Sequence, residues 1–259
     1  MASDDSSPPM LAPCRDIPIT APWQWLRLAW ADIRANPVVS LSYGGLMTMV
    51  SWALSIATWY WGNAGLYLGL ISGFVFLGPI LAMGLYAASA QRAMDIHPVR
   101  LRSTLHLARE ALGDAMVFAL VLLVVFLLWA RSAMMVSVFV PAGQGDSWQS
   151  WLSFLGVGTA VGAIFCVVVF SASAFSLPMM LDRRSDTITA VLSSVNAVLR
   201  NKPAMLMWGT IIVAVVVIDV LTLYLAGWVL LPLLGHAAWH GYRNYLDASA
   251  WPARIPEPS

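Results

Sequence analysis

The lysines and arginines of this 259-residue chain are distributed very unevenly around its long apolar runs. If those runs are threaded as six membrane-spanning helices, all but one of the 14 basic residues fall on the same side of the membrane. The exception is Arg131. Because short segments that carry Lys and Arg resist translocation, that side is predicted to be the cytoplasm. The charge pattern therefore predicts that both termini and the two long connections are cytoplasmic.

The composition indicates an integral membrane protein. Apolar residues make up 59% of the chain and charged residues 10%, whereas soluble domains carry about a quarter charged residues. The net charge of +1 gives no reason to expect a nucleic-acid partner. We therefore expect a multi-pass protein of a bacterial inner (plasma) membrane that contacts the lipid bilayer and no nucleic acid.

The apolar runs predict an all-α membrane fold with six spans, since about 20 apolar residues cross the hydrocarbon core of a bilayer. Short outer loops join the spans into three antiparallel hairpins. The predicted spans are 38–61, 64–90, 115–140, 151–181, 204–224 and 225–242.

Each hairpin is preceded by a segment whose apolar residues recur every three or four positions, as on one face of a helix. Such segments are predicted to be amphipathic helices on the cytoplasmic interface. Asn36-Pro37 and Lys202-Pro203 are stop signals, because proline disfavours helical geometry in the residue before it. The stripes consist of Trp23, Leu26, Trp30 and Ile33; then Leu101, Leu105, Ala108 and Leu112; then Ile188, Leu192, Val195 and Leu199.

The predicted organisation is one polytopic domain, 17–247, between a disordered cytoplasmic tail, 1–16, and a second cytoplasmic tail, 248–259. The second helix of each hairpin contains a proline, at Pro79, Pro178 and Pro232. These parallels suggest three repeats, 20–90, 98–181 and 185–245, with a pseudo-threefold arrangement possible. The alternative is that compositional bias makes unrelated membrane segments look alike.

Several strings in the second half of the chain resemble one family of bacterial membrane proteins. They are the nine residues Phe-Ser-Leu-Pro-Met-Met-Leu-Asp-Arg at 175–183, Asn-Lys-Pro-Ala-Met at 201–205, and Gly-His-Ala-Ala-Trp-His-Gly-Tyr-Arg at 235–243, with Gly78-Pro79 and Gly84-Leu85-Tyr86 earlier. The family is that of predicted integral membrane proteins known as domain of unknown function 2189. The resemblance implies an inner-membrane protein of unassigned function and supplies no catalytic residues. Lys202 departs from the family, in which Asn often directly precedes Pro.

His236 and His240 are the first candidate site, because residues four apart project from the same face of a helix. Imidazoles at this spacing can ligate zinc, copper or a haem edge, provided that facing helices supply further ligands. The alternative is that the two histidines cap the cytoplasmic end of the last helix. We therefore expect no cofactor, with a metal or haem at His236 and His240 as the alternative.

Two acidic residues suggest ion pairs. Asp182 and Arg243 end the fourth and sixth predicted spans at the same depth, so a pair between them would tie two hairpins together. The alternative is that Asp182, Arg183 and Arg184 line a pocket for a lipid headgroup. Asp219 is the one acid well inside an apolar run, and intramembrane carboxylates usually face a cavity or a partner. Arg131 lies at a comparable depth and could pair with Asp219.

The chain shows no nucleotide-binding loop, catalytic triad or metalloprotease motif, so we expect no enzymatic activity. The leading hypothesis is a structural or accessory component of a membrane complex, whose partner would be another membrane protein. The first alternative is a small-solute or ion transporter that uses Asp219 and Arg131. The second is a metal-binding or haem-binding redox protein that uses His236 and His240.

Overall fold

The structure is a computed structural model, and it describes residues 9–62, 81–96, 98–138 and 148–254. Within this part of the chain the fold is all-helical, as the sequence predicted, apart from two isolated β-bridges. The helices are α1 (Ala21–Ala35), α2 (Pro37–Trp61), α3 (81–93), α4 (Leu101–Glu110), α5 (Leu112–Val138), α6 (Trp148–Ser173), α7 (Ser176–Asp182), α8 (Thr187–Arg200), α9 (Lys202–Leu221) and α10 (Gly227–Tyr245).

Four helical runs of the described residues are long and apolar enough to cross a membrane: Pro37–Tyr60, Leu112–Ser132, Gly156–Asp182 and Lys202–Leu221. They correspond to the first, third, fourth and fifth predicted spans. The second predicted span, with Pro79, lies largely outside the described residues, which include only its end as α3. The sixth forms the helix α10 but is not among the four, since its second half carries His236, His240 and Arg243.

Two helix breaks share the same geometry. α1 ends at Asn36 (φ −134°, ψ 62°) and α8 ends at Asn201 (φ −120°, ψ 54°). A proline occupies the first turn of the helix that follows each break, where its missing N–H costs no hydrogen bond. The helix ends predicted at Asn36-Pro37 and Lys202-Pro203 are therefore present in the structure. The break before α5 differs, because it falls at Ala111 with φ −100° and ψ 6° and no proline follows.

Helix α10 packs against α1 and α2 in an antiparallel direction. The Trp25 indole of α1 donates to Asn244 near the end of α10 over 3.3 Å. Further along, the backbone of α2 at Gly44 approaches Trp228 so closely that a Cβ there would lie 1.9 Å from the Trp228 carbonyl oxygen. The first and last helices of the chain are thus direct neighbours.

The segments α1, α4 and α8 each contact a helix of another predicted hairpin. α1 contacts α10. In α4, Ser103 Oγ donates to Gln91 Oε1 of α3 over 2.9 Å. In α8, Ser194 Oγ donates to the Ser171 carbonyl of α6 over 2.7 Å. Contacts therefore join α1 to α10, α3 to α4 and α6 to α8.

Many large apolar side chains of these three segments face outward, although Trp25 and Ile33 of α1 are buried. On α1, Trp23 and Trp30 are exposed, whereas Trp25 and Ala29 on another face are buried. α4 and α8 repeat this pattern, with small side chains such as Ala108 inward. Small residues allow a close approach between helices, so the bulky stripe remains on the outer surface.

An aromatic cluster forms the centre of the core. Trp25 packs edge-on against Phe175 and Trp208, with ring centroids 6.1 and 5.7 Å apart. Phe175 packs edge-on against Tyr245 at 5.6 Å. Such edge-to-face pairs contribute about 0.5–1.5 kcal/mol each beyond the area that they bury. The cluster ties α1 and α9 to the α6–α7 turn and to the end of α10.

Both described tails are held against the helices. Arg15 N donates to the Tyr245 carbonyl and Asp247 N donates to the Pro13 carbonyl, each over 2.9 Å. Ala12 is fully buried, and its N–H donates to Ser193 Oγ. The disorder predicted for residues 1–16 stays a prediction, and in the structure residues 12–15 make these contacts with α8 and α10. The sequence offered no signal of this pairing, because its partners are more than 180 residues away.

Candidate functional site

The predicted histidine pair lies in a polar cluster where α10 meets α1, α2 and α3. His236 is 1% exposed, and the side chain of His240 is 19% exposed. Both face Asp32 on α1, whose Oδ2 lies 2.8 Å from His240 Nε2 and 3.9 Å from His236 Nδ1. The four-residue spacing thus directs both imidazoles to one carboxylate.

A directed chain of hydrogen bonds passes through His236. Ser89 Oγ donates to Asp32 Oδ2 over 2.5 Å, so its oxygen must accept from His236 Nδ1, which is 2.7 Å away. His236 Nε2 then accepts from Ser40 Oγ over 2.9 Å. This order assigns the neutral Nδ1–H tautomer to His236. Each side-chain polar atom in this series of hydrogen bonds has a partner.

Asp32 is the hub of the cluster. Its Oδ2 accepts from Ser89 and His240, and its Oδ1 accepts from Arg92 of α3 over 2.8 Å. Burial raises the pKa of Asp32, but the hydrogen bonds from His240 and Ser89 and the charge of His240 outweigh it and hold the pKa below its ordinary value. The carboxylate is therefore charged and joins three helices.

The sequence interpretation found the two histidines but missed Asp32, Ser89 and Arg92. A signal for Asp32 was present, because it follows Trp25 by seven residues and Ala29 by three and so shares their buried face. Ser89 lies at the end of the predicted second span and Arg92 just after it, and neither shows such a pattern.

Few ligand atoms are free to bind a metal at the histidine pair. No group of three or more His, Cys, Asp and Glu residues in the described ranges is arranged to hold a metal ion. Both ring nitrogens of His236 already have protein partners. His106 lies apart on α4, 3.7 Å from Glu110, and His97 lies outside the described residues. The metal or haem hypothesis stays a prediction.

Asp182 and Arg243 lie together. Arg243 NH1 is 3.1 Å from Asp182 Oδ2, which also accepts from the Tyr242 hydroxyl over 2.7 Å and from Arg183 Nε over 3.2 Å. The carbonyl of Asp182 accepts the backbone N–H of Arg254 over 2.8 Å. The end of α7 is thus fastened to α10 and to the C-terminal tail.

Asp219 and Arg131 do not come together. Asp219 is buried, and its Oδ1 accepts the backbone N–H of Gly227 over 2.6 Å, at the start of α10. Arg131 is exposed on α5 and makes no ion pair with Asp219. The turn between α9 and α10, with Leu223 and Tyr224 at positive φ, brings the N-terminus of α10 back onto the carboxylate. Asp219 therefore accepts a hydrogen bond from the N-terminus of α10, where a negative charge is favourable.

These helices, with their outward apolar side chains and internally paired polar groups, define the class as a multi-helix integral membrane protein. Residues 66–182 match the family model described as predicted integral membrane protein (DUF2189), which confirms the resemblance over that range. Of the strings that suggested the family, those after Asp182 lie beyond the match. No curated protein and no solved structure matches the chain.

Proposed function

We propose that this protein is a non-enzymatic structural or accessory component of a bacterial inner-membrane complex. The observation that carries the proposal is the internal pairing of its buried charges. Asp32, Asp182 and Asp219 each accept hydrogen bonds from another segment of the chain. Polar groups used in this way fix the arrangement of helices, whereas a transport or catalytic site needs polar groups that a substrate can reach.

The proposed topology has six spans with both termini in the cytoplasm. The four apolar helices support it, with α10 and the span that ends in α3 completing three hairpins. The pairing of residues 13–15 with 245–247 supports a common side for the two ends. The positive-inside rule supports the cytoplasm as that side.

In this topology α1, α4 and α8 lie at the cytoplasmic interface. Their outward stripes support it, because an exposed Trp or Leu is unfavourable in water and favourable at the lipid boundary. Trp23 is 57% exposed, Ile188 70% and Leu199 57%. The inward faces of the three helices pack against the bundle, and their outward faces contact the lipid boundary.

Cysteine labelling tests the topology. In a background of Cys14→Ser and Cys166→Ser, a cysteine at Ser249 should react with an impermeant maleimide only after cell lysis. A cysteine at Leu225, in the turn between α9 and α10, should react in intact spheroplasts. The reverse pattern, or equal labelling of both positions, contradicts the proposed orientation.

Mild-detergent purification from native membranes tests the accessory role. A stoichiometric membrane-protein partner should appear by mass spectrometry, and the purified complex should lack an absorption band that depends on His236 and His240. In parallel, the protein alone in liposomes should show no solute or ion flux that Asp219→Asn abolishes. Such a flux would favour the transporter hypothesis, and a metal or haem lost on replacing both histidines would favour the redox hypothesis.

A further inference from the structure

A cleft of about 590 Å³ opens where two candidate spans end. Asp114 lies in the first turn of α5, just inside the span that begins at Leu112, and Arg184 follows the span that ends at Asp182. The cleft is therefore at the depth of lipid headgroups. It is lined by Glu110, Asp114, Arg184, Ser185, Asp186 and Arg254.

One side of the lining offers hydrogen-bond donors that the described residues leave unused. Ser185 is 4% exposed, and its Oγ has no hydrogen-bond partner. Arg254 Nε is also buried and unpaired, although the same guanidinium donates to Asp114 Oδ2 over 2.7 Å. Arg184 is exposed and makes no ion pair with a described residue. Buried donors without partners are rare in folded proteins, and two guanidinium groups beside a hydroxyl are suited to a phosphate.

The lining also carries carboxylates. Glu110 is about half exposed at the end of α4, where its only ion pair with a described residue is a long contact of 3.7 Å with His106. Asp186 caps α8 by accepting the Thr189 N–H over 3.0 Å, yet it remains exposed. Three acids beside two arginines disfavour a ligand that is only anionic. They suit one that carries a cation next to its phosphate.

We propose that this cleft binds a zwitterionic group in which a phosphate ester stands next to a primary ammonium, as in the headgroup of phosphatidylethanolamine. The phosphate lies among Arg184, Ser185 and Arg254, and the ammonium lies against Glu110. A primary ammonium fits better than a quaternary one, because a carboxylate accepts its hydrogen bonds and no aromatic ring of the described residues lines the cleft to form a cation–π cage. The position at the span ends favours the lipid over the free headgroup.

Native mass spectrometry of the full-length protein in detergent tests the proposal, with short-chain phosphatidylethanolamine, phosphatidylglycerol and phosphatidylcholine as probes. The ethanolamine lipid should bind about tenfold more tightly than the other two, since one charge-assisted hydrogen bond is worth about that factor. Equal binding of all three would overturn the proposal. Soluble glycerophosphoethanolamine distinguishes the sources, because tighter binding of the free compound than of the lipid would overturn the lipid assignment.

Three variants locate the site. Arg184→Gln should weaken binding of the ethanolamine lipid about tenfold, whereas the matched control Arg200→Gln, at the far end of α8, should leave it unchanged. Glu110→Gln should weaken the ethanolamine lipid but not the glycerol lipid. Ser185→Ala removes an unpaired buried hydroxyl. The variant should therefore be as stable to unfolding as the parent, but it should bind less lipid. If Arg184→Gln and Ser185→Ala both bind as the parent does, the cleft is not the site.

Discussion

The carboxylate of Asp32 and the imidazole of His240 are 208 residues apart in sequence and 2.8 Å apart in the structure. This contact joins the first helix of the fold to the last. Ser89, Arg92 and His240 all donate to the Asp32 carboxylate. Asp32 therefore joins α1 to α3 and α10.

Replacement of Asp32 by Asn should destabilise the protein strongly. An amide of the same size leaves the Arg92 charge without its counter-charge, and breaking a buried pair in this way costs about 3–5 kcal/mol. The unfolding free energy in detergent measures the effect. Asp95→Asn, on an exposed turn, is the control and should change it by less than about 0.5 kcal/mol. A similar loss in both variants would contradict the role given to Asp32.

The stability that depends on Asp32 should also vary with pH in a defined direction. The pKa of Asp32 in the folded protein lies below its ordinary value of 3.8, so the charged form is bound more favourably in the folded state. Its contribution is complete above that value and is lost as the pH falls through the lower folded pKa. Unfolding midpoints of the parent should therefore fall in acid more steeply than those of Asp32→Asn. Parallel curves would show that other groups control the acid response.

Asp219 should tolerate an amide but not an apolar side chain. Asn at this position keeps an oxygen that can accept the Gly227 N–H, whereas Ala leaves that buried donor unpaired at a cost of about 1–3 kcal/mol. Thermal unfolding in detergent should rank the parent and Asp219→Asn close together and Asp219→Ala well below. A loss with Asn as large as the loss with Ala would mean that the charge of Asp219, and not its hydrogen bond to the Gly227 N–H, decides its role.

Gly44 should not accept a methyl group. The Cβ of an alanine would lie 1.9 Å from the Trp228 carbonyl oxygen and 2.7 Å from Pro232 Cγ, so α2 and α10 would have to separate, at a cost of about 1–3 kcal/mol. Gly209→Ala is the matched control, since its nearest neighbour, Phe170, is 3.9 Å away. Thermal unfolding should show a large loss for Gly44→Ala and little change for Gly209→Ala.

The sequence predicted the class of fold because the features that define the helices are encoded by neighbouring residues. Span length, the stops at Pro37 and Pro203 and the period of α1, α4 and α8 all depend on residues within a few turns of each other. It did not specify which face of α1 packs against the bundle, because the rule that apolar residues turn inward assumes water outside, and a bilayer removes that assumption. The Asp32 cluster and the pairing of the tails depend on contacts between residues far apart in sequence, which no local sequence pattern predicts.

The contact between α1 and α10 has a consequence for biosynthesis. Trp25 and Asp32 are made about 200 residues before their partners Asn244, His236 and His240. Contacts with such large sequence separation form late and leave the earlier segment uncovered in the meantime. Until α10 is made, the face of α1 that carries Trp25 and Asp32 therefore lacks these partners. A chain truncated before α10 would present that face to the quality-control machinery of the cell.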